Sequence, residues 1–478
     1  MNKLKKNFAY ATAYKMLELL LPIITSPLLS RRLGAEMLGV YTYTYSISSL
    51  FIMVAELGCY RYGMREIAKI RNDVKALNQC YSDIFCTHAA NGMVVYLAYL
   101  LFAVLCGGQY RVIFLIQGLG ILSNMIDNSF LYIGLEELKT VTYRDAAVKL
   151  LSFILIVCVI KQPGDLLNYV IIMNVCSFVC KLVALIYSRK YVHFVHPLLK
   201  NCKQHYKCMF RLMIPVVSAG IYQSMDKMMI GSLYNKSDVG YYECASKALL
   251  PKNIITVFGT VLCPHITNLY AQSKKREAEE KFIQSLQLSL VMAYAFMFGI
   301  AAVAKEFAPL FWGRDFAVCA NLMIGLSISI PLWTVGEVIR NQYLLPNSRD
   351  NEYTISFIVG VVVNVLLNLV LIGHYGAMGA IVATIAAEFA MSAAQMFFIR
   401  REINLWRGIA GTMPYFFFGV LMMAAVRVTA SYCTAGGIIQ LLTEIMAGVI
   451  LFIILCLGYE KVANKPLLLM VIAKKKNK

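Results

Sequence analysis

Apolar residues run through this chain in continuous blocks of about twenty, separated by short polar clusters, from one end to the other. A helix rises about 1.5 Å per residue, so a block of that length crosses the ~30 Å hydrocarbon core of a bilayer. The runs are unbroken rather than alternating with period two, which disfavours a closed barrel and predicts helices. In the first part of the chain they lie at 9–29, 40–58, 82–105, 112–133, 145–160, 166–187 and 210–233. In the second they lie at 244–269, 283–304, 318–342, 354–372, 377–399, 411–430 and 438–458. The pattern predicts an all-α polytopic membrane protein of about fourteen transmembrane helices.

Composition agrees: 59% of the 478 residues are hydrophobic, 15% are charged, and the mean hydropathy is +0.64. A soluble domain carries about 25% charged residues. The net charge of +19 would suggest nucleic acid in a soluble protein, but its placement says otherwise. Lys and Arg collect in alternate segments, among them Arg61–Lys75, Arg189–Arg211, Lys274–Lys281, Arg400–Arg407 and the Lys474–Lys476 tail. By the positive-inside rule those segments face the cytoplasm, with both termini on the cytoplasmic side and no nucleic-acid partner expected. The first apolar block contains Lys15, Glu18, Pro22 and Pro27 and no small-residue cleavage site follows it, so it reads as a retained span rather than a signal peptide. The basic loop helix Arg65–Arg71 either lies on the membrane surface against anionic lipid or only fixes topology.

Fourteen cysteines are scattered without a Cys-x-x-Cys pair, and Cys176 and Cys180 read as small packing residues, so neither disulfides nor a metal are expected. No Ser or Cys is joined to a placed base, no His/Glu cluster has metal spacing, and no loop is built to cradle phosphate. The chain reads as a non-enzyme. His193, His196 and His205 look like ordinary residues of a basic loop.

The chain reads as built twice. Leu38–Gly39–Val40–Tyr41 is echoed by Val239–Gly240–Tyr241–Tyr242, and the first and seventh spans both start inside. Parallel halves at 1–190 and 200–402 follow, six helices each, with 403–478 adding two helices and a basic tail. In secondary transporters such halves rock against each other around a site between them.

The polar residues inside the spans carry the functional signal, because a charge at bilayer depth costs at least ~2.5 kcal/mol and usually faces a partner or a watery cavity. They include Glu56, His88, Asn91, Asn124, Asp127, Asn128, Asp145, Lys149 and Lys181 in the first half. The second half and its appendix supply Gln223, Asp226, Lys227, Glu243, Lys247, Lys252, His265, Glu337, Arg340, Gln342, Glu388, Arg427 and Glu444. Asp145–Lys149, Glu243–Lys247 and Glu337–Arg340 have the spacing of internal salt bridges. Lys15, Lys181 and Lys252 can also snorkel to a headgroup region. Asp226 and Lys227 stand about 100° apart on a helix, so one face cannot hold both. A cation-rich interior suits an anionic group such as a phosphate.

Leu33–Gly34–Ala35–Glu36–Met37–Leu38–Gly39–Val40–Tyr41 resembles a motif of polysaccharide flippases, members of the multidrug/oligosaccharidyl-lipid/polysaccharide exporter superfamily. Asp226 with Ile230–Gly231 and Val239–Tyr242 resembles the start of that family's second half. Gln342–Pro346 with Arg349, and Gly376–Ala380 with Glu388, resemble its tenth to twelfth helices. The resemblance implies transport of undecaprenyl-pyrophosphate-linked oligosaccharide units to the outer leaflet for O-antigen, capsule or exopolysaccharide assembly. It also implies two bundles around a basic cavity, with the last helix pair beside the lipid tail. From depth and helix face, Lys15, Lys149, Lys227, Lys247 and Arg340 are the expected pyrophosphate ligands, and Glu18, Asp127 and Asp226 the expected coupling acids. The expected partners are the lipid-linked oligosaccharide, membrane lipid and polysaccharide-assembly enzymes around a monomer. No cofactor is expected beyond a coupling proton or sodium ion. The alternatives are a cation-coupled small-molecule or drug antiporter of the same superfamily and, less favoured by the short outside loops, an envelope polymerase or acyltransferase.

Overall fold

A computed structural model describes residues 3–272, 274–432, 436–463 and 467; side chains at 3–20, 138, 140, 141, 258, 260–262, 264, 265, 270 and 271 lie outside that description. Lys15, Glu18 and His265 therefore fall outside the described side chains, and the Lys474–Lys476 tail falls outside the described chain.

The chain is helical throughout, with no strand among the described residues. The first helices are α1 (Lys3–Glu56), α2 (Cys59–Ile70), α3 (Val74–Cys106), α4 (Arg111–Met125), α5 (Ser129–Gly134), α6 (Leu138–Val159), α7 (Leu166–Tyr187) and α8 (Leu199–Leu233). They are followed by α9 (Lys236–Lys247), α10 (Asn253–Ala271), α11 (Lys275–Trp312), α12 (Cys319–Ile339), α13 (Asp350–Ile399), α14 (Leu405–Ala410), α15 (Met413–Tyr432) and α16 (Ile438–Val462). The expected spans fall on these helices, with interruptions near 126–128 and 248–252. By length and apolar composition alone, nine helical stretches among the described residues are able to cross a membrane. Two of the nine, Leu21–Ile70 and Asp350–Ile399, are 50 residues long, about twice what a bilayer needs.

Each of these stretches is interrupted at a glycine. In α1 the backbone turns at Gly34 (φ 76°, ψ 174°), and in α13 at Gly376 (φ 55°, ψ −133°), conformations that residues with a Cβ rarely adopt. Each kink is tied to a neighbouring helix. The Arg32 guanidinium donates to the Val157 and Ile160 carbonyls at 2.7 and 2.5 Å, where α6 ends. Asp238, in the first turn of α9, accepts the Ala377 N–H at 2.8 Å, where the second arm of α13 begins.

The chain divides into two compact units, Met1–Gly231 and Ser232–Lys478. In the first unit the apolar core is split into several smaller clusters, one of them around Leu57, Ile67, Ile84, Phe130 and Met209. There the apolar face of α2 packs inward through Cys59, Tyr62, Gly63 and Ile67, while its basic residues stay exposed. The segment entering α8 is also tied down. Asn78, Ser82 and Asp83 of α3 accept the N–H groups of His193, Val195 and Leu198 at 2.9, 3.0 and 2.7 Å, and Gln79 donates to the His196 carbonyl. Side chains here replace the hydrogen bonds that an extended segment lacks. Among the described residues of the second unit, a long apolar core runs from Phe282 and Tyr294 through Tyr343 and Ile399 to Tyr415 and Phe452 and ties α15 and α16 to α11.

Candidate functional site

The fourth span breaks inside the apolar block. Asn124, Asp127 and Asn128 crowd its middle, and Asx side chains compete with the helix for backbone partners. The helix stops at Met125 and restarts as α5 at Ser129. Asp127 closes the gap as an Asx turn, its Oδ1 accepting from the Ser129 N–H at 2.9 Å and the Ser129 hydroxyl at 2.5 Å. An interrupted helix at bilayer depth frees carbonyls that the protein must satisfy. α3 supplies the donors. His88 Nε2 lies 2.7 Å from the Asn124 carbonyl, and Asn91, one turn along, donates to the Val54 and Ala55 carbonyls where α1 ends.

Charges gather at this break. Lys181 of α7 meets Asp127 at 2.7 Å, with about a fifth of each side chain exposed, and its ammonium also reaches Ser129 Oγ at 3.3 Å. Arg144 of α6 pairs with Asp145 at 2.7 Å, and Cys180 donates to the same carboxylate at 3.3 Å. Next to them lies a cavity of about 250 Å³ lined by Glu56, Tyr60, His88, Asn124, Asp127 and Phe130, among others. Both charged pairs combine Coulomb attraction with hydrogen bonding, which offsets the cost of taking ions out of water.

The second unit holds its membrane charges differently. Lys247 pairs with Glu243 at 3.2 Å, and Arg340 with Glu337, which also accepts from Asn341 at 2.7 Å. Lys252 places its ammonium 4.8 Å from the Trp333 ring centre, a cation–π contact. α12 ends in a wide turn over Arg340–Leu344, where Gln342 is fully buried with neither amide atom hydrogen-bonded. A larger hollow of about 470 Å³ lies between α10 and α11, lined by exposed residues such as Gln272, Glu277 and Glu280. Mobile, hydrated side chains of that kind make a surface cleft rather than a built site.

The expected ligands fall in both units. Lys149 on α6 and Asp226 and Lys227 on α8 belong to the first unit, where Asp226 is buried and all three interact with neighbours. Lys247 and Arg340 belong to the second unit, each on an acid of its own helix or the turn that continues it. Asp127 is brought together with Lys181, a residue that the reading of spans left free to snorkel. Sequence reasoning passes over Arg144, whose signal is an Arg–Asp neighbour pair at the very start of an apolar block, where two adjacent charges require partners.

The model of a family described as polysaccharide biosynthesis protein matches residues 4–270 of this chain. A putative O-antigen transporter of Shigella dysenteriae is 18% identical over 398 residues, covering 80% of this chain and 97% of that protein. A probable low-salt glycan biosynthesis flippase of Haloferax volcanii is 24% identical over 197 residues, 41% of each chain. Among solved structures, the lipid II flippase MurJ in an inward closed conformation superposes with a TM-score of 0.76 at 14% identity, covering 95% of this chain and 99% of that one. That likeness establishes a shared fold.

Proposed function

The chain belongs to the polysaccharide biosynthesis protein family, and from that premise we propose that it carries undecaprenyl-pyrophosphate-linked oligosaccharide units from the inner to the outer leaflet of the cytoplasmic membrane. The observation that carries this reading is its alignment with a putative O-antigen transporter over 97% of that protein's length. The relatives are transporters and flippases, and the chain is not an enzyme. Its work is to move a charged headgroup past hydrocarbon.

A pyrophosphate needs N–H donors in place of water, and Lys and Arg supply charge-assisted ones. The candidates are Lys15, Lys149, Lys227, Lys247 and Arg340. At Lys247 and Arg340 the donors already hold Glu243 and Glu337, so a phosphate binds by displacing a carboxylate. Such exchange limits affinity, and a carrier requires limited affinity because the cargo must leave on the far side. Alternating access between two halves would supply the movement, a monomer containing both. Glu18, Asp127 and Asp226 are the acids available for coupling to a proton or sodium ion.

The test is transbilayer movement of a polyprenyl-pyrophosphate oligosaccharide in vesicles containing the purified protein. Movement should require the protein and fall about tenfold in Lys227→Ala and Arg340→Ala, equivalent to ~1.4 kcal/mol of lost stabilisation each. Undiminished movement in both stable variants would remove the cationic site. Ion-driven uptake of a soluble cation without lipid movement would assign the chain to the antiporters.

A further inference from the structure

His88 is 1% exposed and held between two helix ends. A carbonyl can only accept, so the 2.7 Å contact to the Asn124 carbonyl fixes the proton of the neutral ring on Nε2. Nδ1 then carries a bare lone pair, and it has no hydrogen-bond partner. Asn124 Oδ1, in the same cavity, is a second buried acceptor without a donor. Glu56 lines that cavity as well, its carboxylate making no hydrogen bond or ion pair among the described residues, and its main-chain carbonyl interacts with the His88 ring. Two buried acceptors therefore line the cavity without a donor, beside a part-exposed carboxylate that makes no hydrogen bond, and a buried acceptor left without a donor is costly.

The charged neighbours do not cure this. Lys181 is committed to Asp127 and Arg144 to Asp145. Arg61 on α2 acts on Glu56 through space but is exposed and forms no ion pair with it. Cys59, also lining the cavity, is a weak donor.

The geometry points to Glu56, His88 and Asn124 as a proton-binding site, the place where the transport cycle proposed above takes up its coupling ion. A proton from water arriving at Nδ1 converts the ring to a cation with two N–H donors, Nε2–H on the Asn124 carbonyl and Nδ1–H toward the acceptors at the end of α1. A cation suits that position because α1 and α4 both end there, and helix C-termini carry partial negative charge. Proton occupancy thus fastens the ends of the second and fourth spans together, and proton loss leaves the joint under-bonded. The site differs from Asp127, which its ion pair and its turn already occupy.

The inference rests on the flippase reading for its purpose, so two measurements separate the two. Infrared pH-difference spectra of the purified protein need no cargo. Wild type should show imidazole and carboxyl bands; His88→Gln should lose the imidazole band, and Glu56→Gln should lose the carboxyl band and shift the imidazole one. Should His88→Gln fail to fold, Glu56→Gln alone decides. Spectra unchanged by both substitutions would overturn the site. In vesicles, lipid movement by wild type should change severalfold with the direction of an imposed pH step, and this response should be lost in both variants. A response to a sodium step alone would overturn the proton as the ion. Bands that behave as expected with no lipid movement would leave the proton site standing and remove the flippase reading.

Discussion

The two units solve one problem in opposite ways. Each contains a helix that kinks at a glycine, and each fastens the kink to another helix. The first uses a cation, Arg32, on carbonyls at the C-terminal end of α6; the second uses an anion, Asp238, on an N–H at the start of a helix arm. Both signs follow the helix dipole, so sequence can drift between the halves while electrostatics preserves the joint. The interiors differ too. Unit one collects ions around a broken span, whereas unit two pairs Lys247 and Arg340 with acids one turn away, joins separate elements through Arg427–Glu306 and Arg349–Glu402, and packs a long apolar core. Polar interiors that require several helices to agree are where a site is built; local pairs mostly silence charge.

The largest expected effect tests that contrast. Lys181→Ala should destabilise the purified protein by roughly 2–3 kcal/mol, because Asp127 is left without its cation at membrane depth, and adding Asp127→Asn should recover part of the loss. In unit two, Lys247→Ala should cost less than about 1 kcal/mol, since Lys247 is over a third exposed and its pair spans a single helix turn. Thermal melting of the variants in one detergent checks both, and equal losses would dissolve the contrast.

The glycines come next. Gly376→Ala should cost about 2–3 kcal/mol: the conformation is strained for a residue with a Cβ, and that Cβ would sit 2.3 Å from Asp238 Oδ2. Gly34→Ala meets no atom within 4 Å and should cost only the conformational part, about 1–2 kcal/mol. Melting that ranks them the other way would deny Asp238 its place against the turn. Smaller still are the clasps themselves. Arg32→Met and Asp238→Asn should each cost about 1 kcal/mol, and a charge-reversed Asp238→Lys more, measured in the same way.

The smallest effect separates the units by pH, outside the membrane-spanning segments. In unit one the Tyr62 hydroxyl lies 2.8 Å from His205 Nδ1, and burial pushes that imidazole below its ordinary value despite Asp83 and Glu66. The neutral ring accepts the hydroxyl, so this contribution is present above the ordinary value of about 6.5 and is lost as pH falls through the lowered one. In unit two, Glu402 resists the rise that burial alone would give, because Tyr343 and Arg349 hold its carboxyl below its usual value. Its contribution is complete above about pH 4.3 and is lost only as the pH falls below that through the lowered value. Melting between about pH 7.5 and 5.5 should therefore respond to His205→Gln and not to Glu402→Gln; the reverse would exchange the assignments.

Much of this was legible along the chain. Apolar blocks announced the helices, and Glu243–Lys247 and Glu337–Arg340 declared themselves because a helix brings such neighbours together. Gly34 and Gly376 stood in motifs that resemble a family's, but nothing in the sequence reading marked them as breaks in the helix. Asn124, Asp127 and Asn128 marked the fourth span as odd, but their meaning depended on α3 and α7. Nothing in local spacing says that Lys181 will reach Asp127, or that His88 will stand at the ends of both α1 and α4. Those contacts are fixed by packing, and packing is not periodic.

The salt bridge at the broken span also dictates something about birth. Ser129, beside Asp127, and its partner Lys181 are 52 residues apart, so the acid leaves the ribosome well before the base. Released into lipid alone, either helix would carry an unanswered charge costing about 2.5–3.5 kcal/mol. The fourth and seventh helices, with α6 and its Arg144–Asp145 pair between them, are therefore best handed to the bilayer together, held at the insertion machinery until the ammonium arrives.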